Sequence, residues 1–149
     1  MGYACKQNKY IGEIFLMKRK INNESRFRQQ VLFEGLESGK VSYTDIDFIR
    51  EIDNEFLIIG DVKAQGNKLP TGQRLLIERL CNKDWKFSIG VIVEHNVPVT
   101  EDIYLGECWP TEVYYNKKWT NVPGSKTDEP MLFNKFQDNI KKLLRTNKL

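Results

Sequence analysis

A chain of 149 residues with 40% hydrophobic and 29% charged residues has the length and composition of a single soluble domain that buries its own core. No apolar run approaches the roughly 20 residues that span a bilayer, and the opening Met1 to Asn8 stretch has no apolar signal region, so a cytoplasmic protein with no membrane partner is expected. The net charge of +3 is modest but unevenly spread, with basic residues crowding both ends, and Cys5, Cys81 and Cys108 with the single His95 lack the spacing of a zinc site, which leaves reduced structural thiols.

Residues 8–21 carry Ile11, Ile14, Phe15, Lys18 and Ile21 near one face at helical spacing and read as a first helix. Residues 24–37 are open to two readings: a helix capped by Asn23, or a strand over about 29–36 around Val31-Leu32-Phe33, which is preferred because Ser38-Gly39 then turns into the next strand. Val41 to Glu51 is expected to be a strand, Asp53-Asn54 a turn, and Glu55 to Gln65 a second strand. Phe56-Leu57-Ile58-Ile59 is apolar on both faces, as in a central strand. Pro70 suits the first turn of a helix over 71–82, with Leu75, Leu76, Arg79 and Leu80 at helical spacing. Phe87 to Glu94 alternates as a strand, and short strands are expected around Tyr104-Leu105 and Val113-Tyr114-Tyr115. Asp128 or Glu129 with Pro130 opens a last helix whose apolar side is Phe133, Phe136, Ile140, Leu143 and Leu144.

The chemistry-bearing residues lie on the predicted hairpin. Side chains alternate along a strand, so Asp45 and Asp47 share one face of its first arm, and Asp61, Lys63 and Gln65 share one face of its second. If the loop is the three residues Asp53 to Glu55, Ile52 faces Phe56, Asp47 falls opposite Asp61, and Asp45 falls opposite Lys63. Two carboxylates so placed repel unless a partner neutralises them, and a divalent cation such as Mg²⁺ is the economical partner. A lysine two positions beyond the second acid would orient water or a phosphate oxygen beside that metal. The competing reading is a hairpin with one solvated polar side. The position of Asp61 and Lys63 at the end of a four-residue apolar run, before a helix containing Gln73, favours a built site.

These residues resemble the core of the PD-(D/E)XK nuclease superfamily, which includes restriction endonucleases and Holliday-junction resolvases. Asp47 matches the first acid, Asp61 the second, Lys63 the lysine, and Gln73 in Thr-Gly-Gln-Arg-Leu-Leu a glutamine common in the following helix. The proline often found before the first acid is absent, and Ile46 stands there. The likeness covers roughly residues 10–95 and is carried by 43–76.

It implies an α/β, restriction endonuclease-like αβββαβ core with a mixed sheet flanked by helices. The single domain of 1–149 would then be a core over about 8–95 with C-terminal strands and a terminal helix added over 96–149. It also implies a Mg²⁺- or Mn²⁺-dependent nuclease acting on nucleic acid, DNA first, with Asp47 and Asp61 as metal ligands and, as in many such enzymes, a homodimer as one expected state. A glutamate from the first helix often completes such sites. Glu13 in Tyr-Ile-Gly-Glu-Ile-Phe is chosen, with Glu24 and Glu34 as rivals. The alternative is a non-catalytic nucleic-acid or protein binding module on the same fold. Basic residues at both ends (Lys18, Arg19, Lys20, Arg26, Arg28; Lys135, Lys141, Lys142, Arg145, Lys148) would serve either, although charge alone reads more simply as a solvated surface. Trp85, Trp109, Trp119, Tyr114 and Tyr115 offer base stacking or core packing, and packing is preferred.

Overall fold

The computed structural model describes residues 45–146, with side chains described through 143. The expected helix over 8–21, the strand near 29–36, residues 41–44 and the candidate acids Glu13, Glu24 and Glu34 lie outside the described residues.

Within the described part, β1 (Phe48–Ile52), β2 (Phe56–Ala64), α1 (Thr71–Cys81), β3 (Phe87–His95), a 3₁₀ turn (Leu105–Glu107), β4 (Trp109–Tyr115), β5 (Lys118–Asn121) and α2 (Phe133–Thr146) follow in order. The strands form one five-stranded mixed sheet in the order β1-β2-β3-β4-β5, giving an α/β architecture. β1 and β2 are antiparallel and close through three residues, with Ile52 paired to Phe56. Asp53 and Asn54 turn the chain at φ 57° and 55°, a left-handed conformation that these side chains tolerate better than most. β2 and β3 are parallel, so the chain must cross over between them, and α1 makes that crossing.

β2 is central, which explains its double-sided apolar run. Leu57 and Ile59 enter a cluster with Ile77, Cys81, Ile92 and Tyr114 beneath α1. Ile58 enters a second cluster with Ile89, Val91, Val93, Phe133 and Ile140 beneath α2. Gly60 leaves room for the Phe48 ring and for the Val91 carbonyl, and a Cβ there would collide with both. Phe48 in turn meets the edge of Phe133 at 5.4 Å between ring centroids, tying β1 to α2. Among the described residues no helix is long and apolar enough to cross a membrane.

Five expectations need correction. The strand foreseen over Val41 to Glu51 begins, in its described part, only at Phe48, because Asp45 and Asp47 engage their side chains with other elements instead of extending the ladder. Leu105 lies in a 3₁₀ turn and not in a strand, and Tyr104 precedes it. The last helix begins at Phe133 rather than at Asp128-Pro130, where the Phe133 amide is instead bonded to the Cys108 carbonyl at 2.8 Å. The inward stripe of α1 is Gln73, Ile77 and Cys81, while Leu75 is 40% exposed. In α2, Phe133 and Ile140 are buried, but Leu143 is exposed.

The rotation of α1 has a measurable consequence. Ile77→Ala is expected to cost about 2–5 kcal/mol in urea unfolding, as for other fully buried aliphatic truncations, whereas Leu75→Ala should change stability by no more than about 0.5 kcal/mol. Equal losses at the two positions would refute this packing.

Candidate functional site

The hairpin register brings the two acids together. Phe48 pairs with Gly60, so the next position on each strand sets Asp47 against Asp61. Asp47 has already left the regular ladder. Its Oδ2 accepts the Val62 backbone N–H at 2.7 Å, so a side-chain carboxylate takes the place of a strand carbonyl at this end of β2. That bond fixes the Asp47 carboxylate beside the strand that carries Asp61.

Asp61 is fully buried, and neither of its carboxylate oxygens receives a directed hydrogen bond. The Lys63 ammonium lies 3.1 Å from Oδ2, close enough for strong attraction but not aligned as a hydrogen bond to it. Burial is the main force on this group, followed by the neighbouring Asp47 carboxyl. Together they outweigh Lys63 and push the Asp61 carboxyl from 3.8 up to about 6.

Lys63 is itself held from the other side. Its Nζ donates to Gln73 Oε1 at 3.2 Å, and Gln73 Nε2 donates to Asp45 Oδ1 at 3.0 Å and to the Asp45 carbonyl at 3.2 Å. The amide of Gln73, buried on the inward stripe of α1, is therefore used at both ends. One chain of polar contacts runs Asp61, Lys63, Gln73, Asp45, joining β2 to α1 and to the segment before β1.

Comparisons with protein-family models, with curated proteins and with solved structures found no match.

Four residues singled out in the sequence, Asp47, Asp61, Lys63 and Gln73, thus converge on one corner. Glu13 lies outside the described residues. Among the described residues, no third carboxylate, histidine or cysteine completes a metal-binding group with the two aspartates. The donor set fits a hard divalent cation nonetheless: two oxygen-only ligands, one of them buried and short of partners.

Asp45 was expected opposite Lys63 in a ladder. It instead orients Gln73, a role that strand parity could not suggest, although the Asp45-x-Asp47 doublet was visible. His95 ends β3 and accepts the Val97 N–H on Nδ1 at 3.1 Å. It lines a small cavity of about 370 Å³ shared with Asp47, Phe48 and Val62. Cys81 and Cys108 are buried, and burial drives the thiol of Cys81 up to about 12 and that of Cys108 upward, so both stay protonated structural thiols. Trp85 and Trp119 pack against the α1 cluster and donate to the Leu80 carbonyl and to Glu78, which bears out core packing for these two.

The raised Asp61 carboxyl predicts a pH effect of known sign. Between about 4 and 6 the folded chain keeps a proton that the unfolded chain releases. Asp61 therefore adds stability that is complete below its unfolded value and is lost as pH rises through about 6. In chelator, Asp61→Asn should leave stability near pH 4 little changed. At pH 7.5 it should raise stability by on the order of 2 kcal/mol. Urea unfolding across this range measures the difference, and a stabilisation independent of pH would contradict the assignment.

Proposed function

We propose that this chain is a metal-dependent nuclease that hydrolyses phosphodiester bonds in nucleic acid, DNA first, on a restriction endonuclease-like core. The observation that carries the reading is Asp61: a carboxylate buried at the end of a central strand, beside a second carboxylate, with both oxygens short of hydrogen-bond donors. Such a group is costly unless a cation or a proton satisfies it. The order β1, β2, α1, β3, with an antiparallel hairpin followed by a helical crossover to a parallel strand, supports the same reading.

Asp47 and Asp61 would hold Mg²⁺ or Mn²⁺. The bound ion supplies Lewis acidity at the phosphorus centre and a more acidic water. Lys63 is poised for two tasks. Its ammonium balances the Asp61 charge and presents donors to the attacking water or to a phosphate oxygen. Gln73 is a positioning residue: through Asp45 it fixes the direction of its own amide, and through Oε1 it restrains the long Lys63 side chain, which lowers the entropy lost on binding phosphate.

The test combines cleavage with metal binding. Purified protein with single- and double-stranded DNA and with RNA should show cleavage that requires Mg²⁺ or Mn²⁺ and stops in chelator. Lys63→Ala should lower the rate by at least about 100-fold. Mn²⁺ should raise the melting temperature of the wild type and of Lys63→Ala by mass action, but not that of Asp61→Asn. Cleavage by Lys63→Ala at the wild-type rate would reject the mechanism. Absence of any metal response would leave a non-catalytic binding module in its place.

A further inference from the structure

The face of the sheet beneath α1 continues past the acidic corner. Asp61, Lys63 and Gln65 fall on that face in succession, and Gln65 keeps pairing with β3 through the His95 carbonyl at 2.8 Å. In the parallel register Lys63 lies next to Glu94, and in the antiparallel register of the other side Glu94 lies next to Trp109. From Gln65, Glu94 and Trp109 onward the surface opens into a cavity of about 1100 Å³. At roughly 3.3 Å per residue, Gln65 is about 13 Å along the strand from Asp61, so the cavity begins a short distance from the acidic corner.

The lining selects among ligand classes. Ile92 and Leu69, both buried, contribute an apolar floor, and the half-buried Trp109 contributes an indole. Arg74 lines the cavity too, but its guanidinium is committed to Glu112 at 2.9 and 3.2 Å and lies 4.3 Å from the Trp119 ring centre. With that pair neutralised, the charges left around the cavity are Lys68 and Lys126 against Glu94, Glu107 and Asp128. A site built for phosphate alone would carry a surplus of cations, and this one does not. Instead it presents side-chain amides from Gln65, Asn96 and Asn121, each both donor and acceptor, together with carboxylates that accept from amino groups. An aromatic plane flanked by donors and acceptors matches a nucleobase, whose edge carries both kinds of group and whose face stacks.

We propose that this cavity binds an unpaired nucleobase of the nucleic-acid strand whose phosphodiester lies at the Asp47–Asp61 corner, with Trp109 as the stacking platform and Glu94 and Asn96 at the base edge. The substrate is then a strand with at least one splayed-out base beside the cleaved bond, since a paired and stacked base cannot offer its edge and face together. The nature of the polymer rests on the nuclease reading of the corner. The recognition of a base rests on the cavity.

The test is binding in chelator, where no cleavage intervenes. Fluorescence anisotropy compares a labelled single-stranded DNA oligonucleotide with one of equal length whose interior sites are abasic. The base-bearing strand should bind about 5- to 100-fold more tightly, the range of one stacked base. Trp109→Leu, which keeps apolar bulk, should remove most of that preference and leave the weaker affinity for the abasic strand unchanged. Asn96→Ala, at an exposed position, should reduce the preference without affecting folding, and it decides the matter if Trp109→Leu fails to fold. Equal affinity for the two strands, or a preference that survives both substitutions, overturns the proposal. Base-dependent binding without metal-dependent cleavage would sink the nuclease reading and uphold the cavity. Cleavage with equal affinities would do the reverse.

Discussion

A carboxylate in the interior of a central strand constrains the whole of this corner. Asp61 is paired to Ile92 of β3 on one side, and on the other the N–H of the next residue, Val62, donates to the Asp47 carboxylate, so the backbone that carries the buried side chain is held from both sides. Strand alternation points it beneath α1, in line with Leu57 and Ile59. The free energy of that placement has to be offset locally, and the surrounding polar groups are arranged around it: Lys63 two residues on, Asp47 across the hairpin, Gln73 above. Removing any one of them changes the electrostatic balance at Asp61 more than it changes the packing, because the apolar contacts of the sheet are made elsewhere.

The two faces of the sheet divide the work. Beneath α2, Phe48, Val91, Val93, Phe133 and Ile140 form an apolar layer. Gly60 lets Phe48 lie directly over β2 there, which anchors the outer arm of the hairpin. Beneath α1 the layer is apolar only up to Ile59 and becomes polar from Asp61 onward. Gly90 allows α1 to sit close to the sheet, since a Cβ there would strike Ile77. That close approach brings Gln73, one turn before Ile77, within reach of Lys63. Packing at one end of the helix thus sets hydrogen-bond geometry at the other, and the same end borders the larger cavity.

How far the site was legible can be followed residue by residue. The apolar run Phe56 to Ile59 with an acid and a lysine directly behind it identified the central strand and its exit, because only a doubly covered strand tolerates such a run. The Asp53-Asn54 turn marked the hairpin but left its loop length as a condition; the structure closes it through three residues, and parity then sets Asp47 against Asp61. Parity failed at Asp45. It presumes that the ladder continues, and here side-chain hydrogen bonds ended the strand at Phe48. The inward face of α1 was misread in part: Leu75 shares the helical spacing of Leu80 yet is exposed, while Gln73 turns inward, where Lys63 and Asp45 engage both ends of its amide.

By itself, then, the amino-acid sequence indicated the local and periodic features: the hairpin, the crossover helix and following strand, and, for a three-residue loop, the facing positions of Asp47 and Asp61 with Lys63 two residues on. Each of these is written in residue spacing, which the backbone geometry of strands and helices reads directly. Only the tertiary structure decided what those residues experience. The loss of solvent around Asp61, the orientation of Lys63 by Gln73, the use of Asp45 as an anchor and the cavity beyond Glu94 and Trp109 all depend on chain segments distant in sequence. Burial and electrostatic coupling are properties of groups brought together across the fold, and no spacing along one strand encodes them.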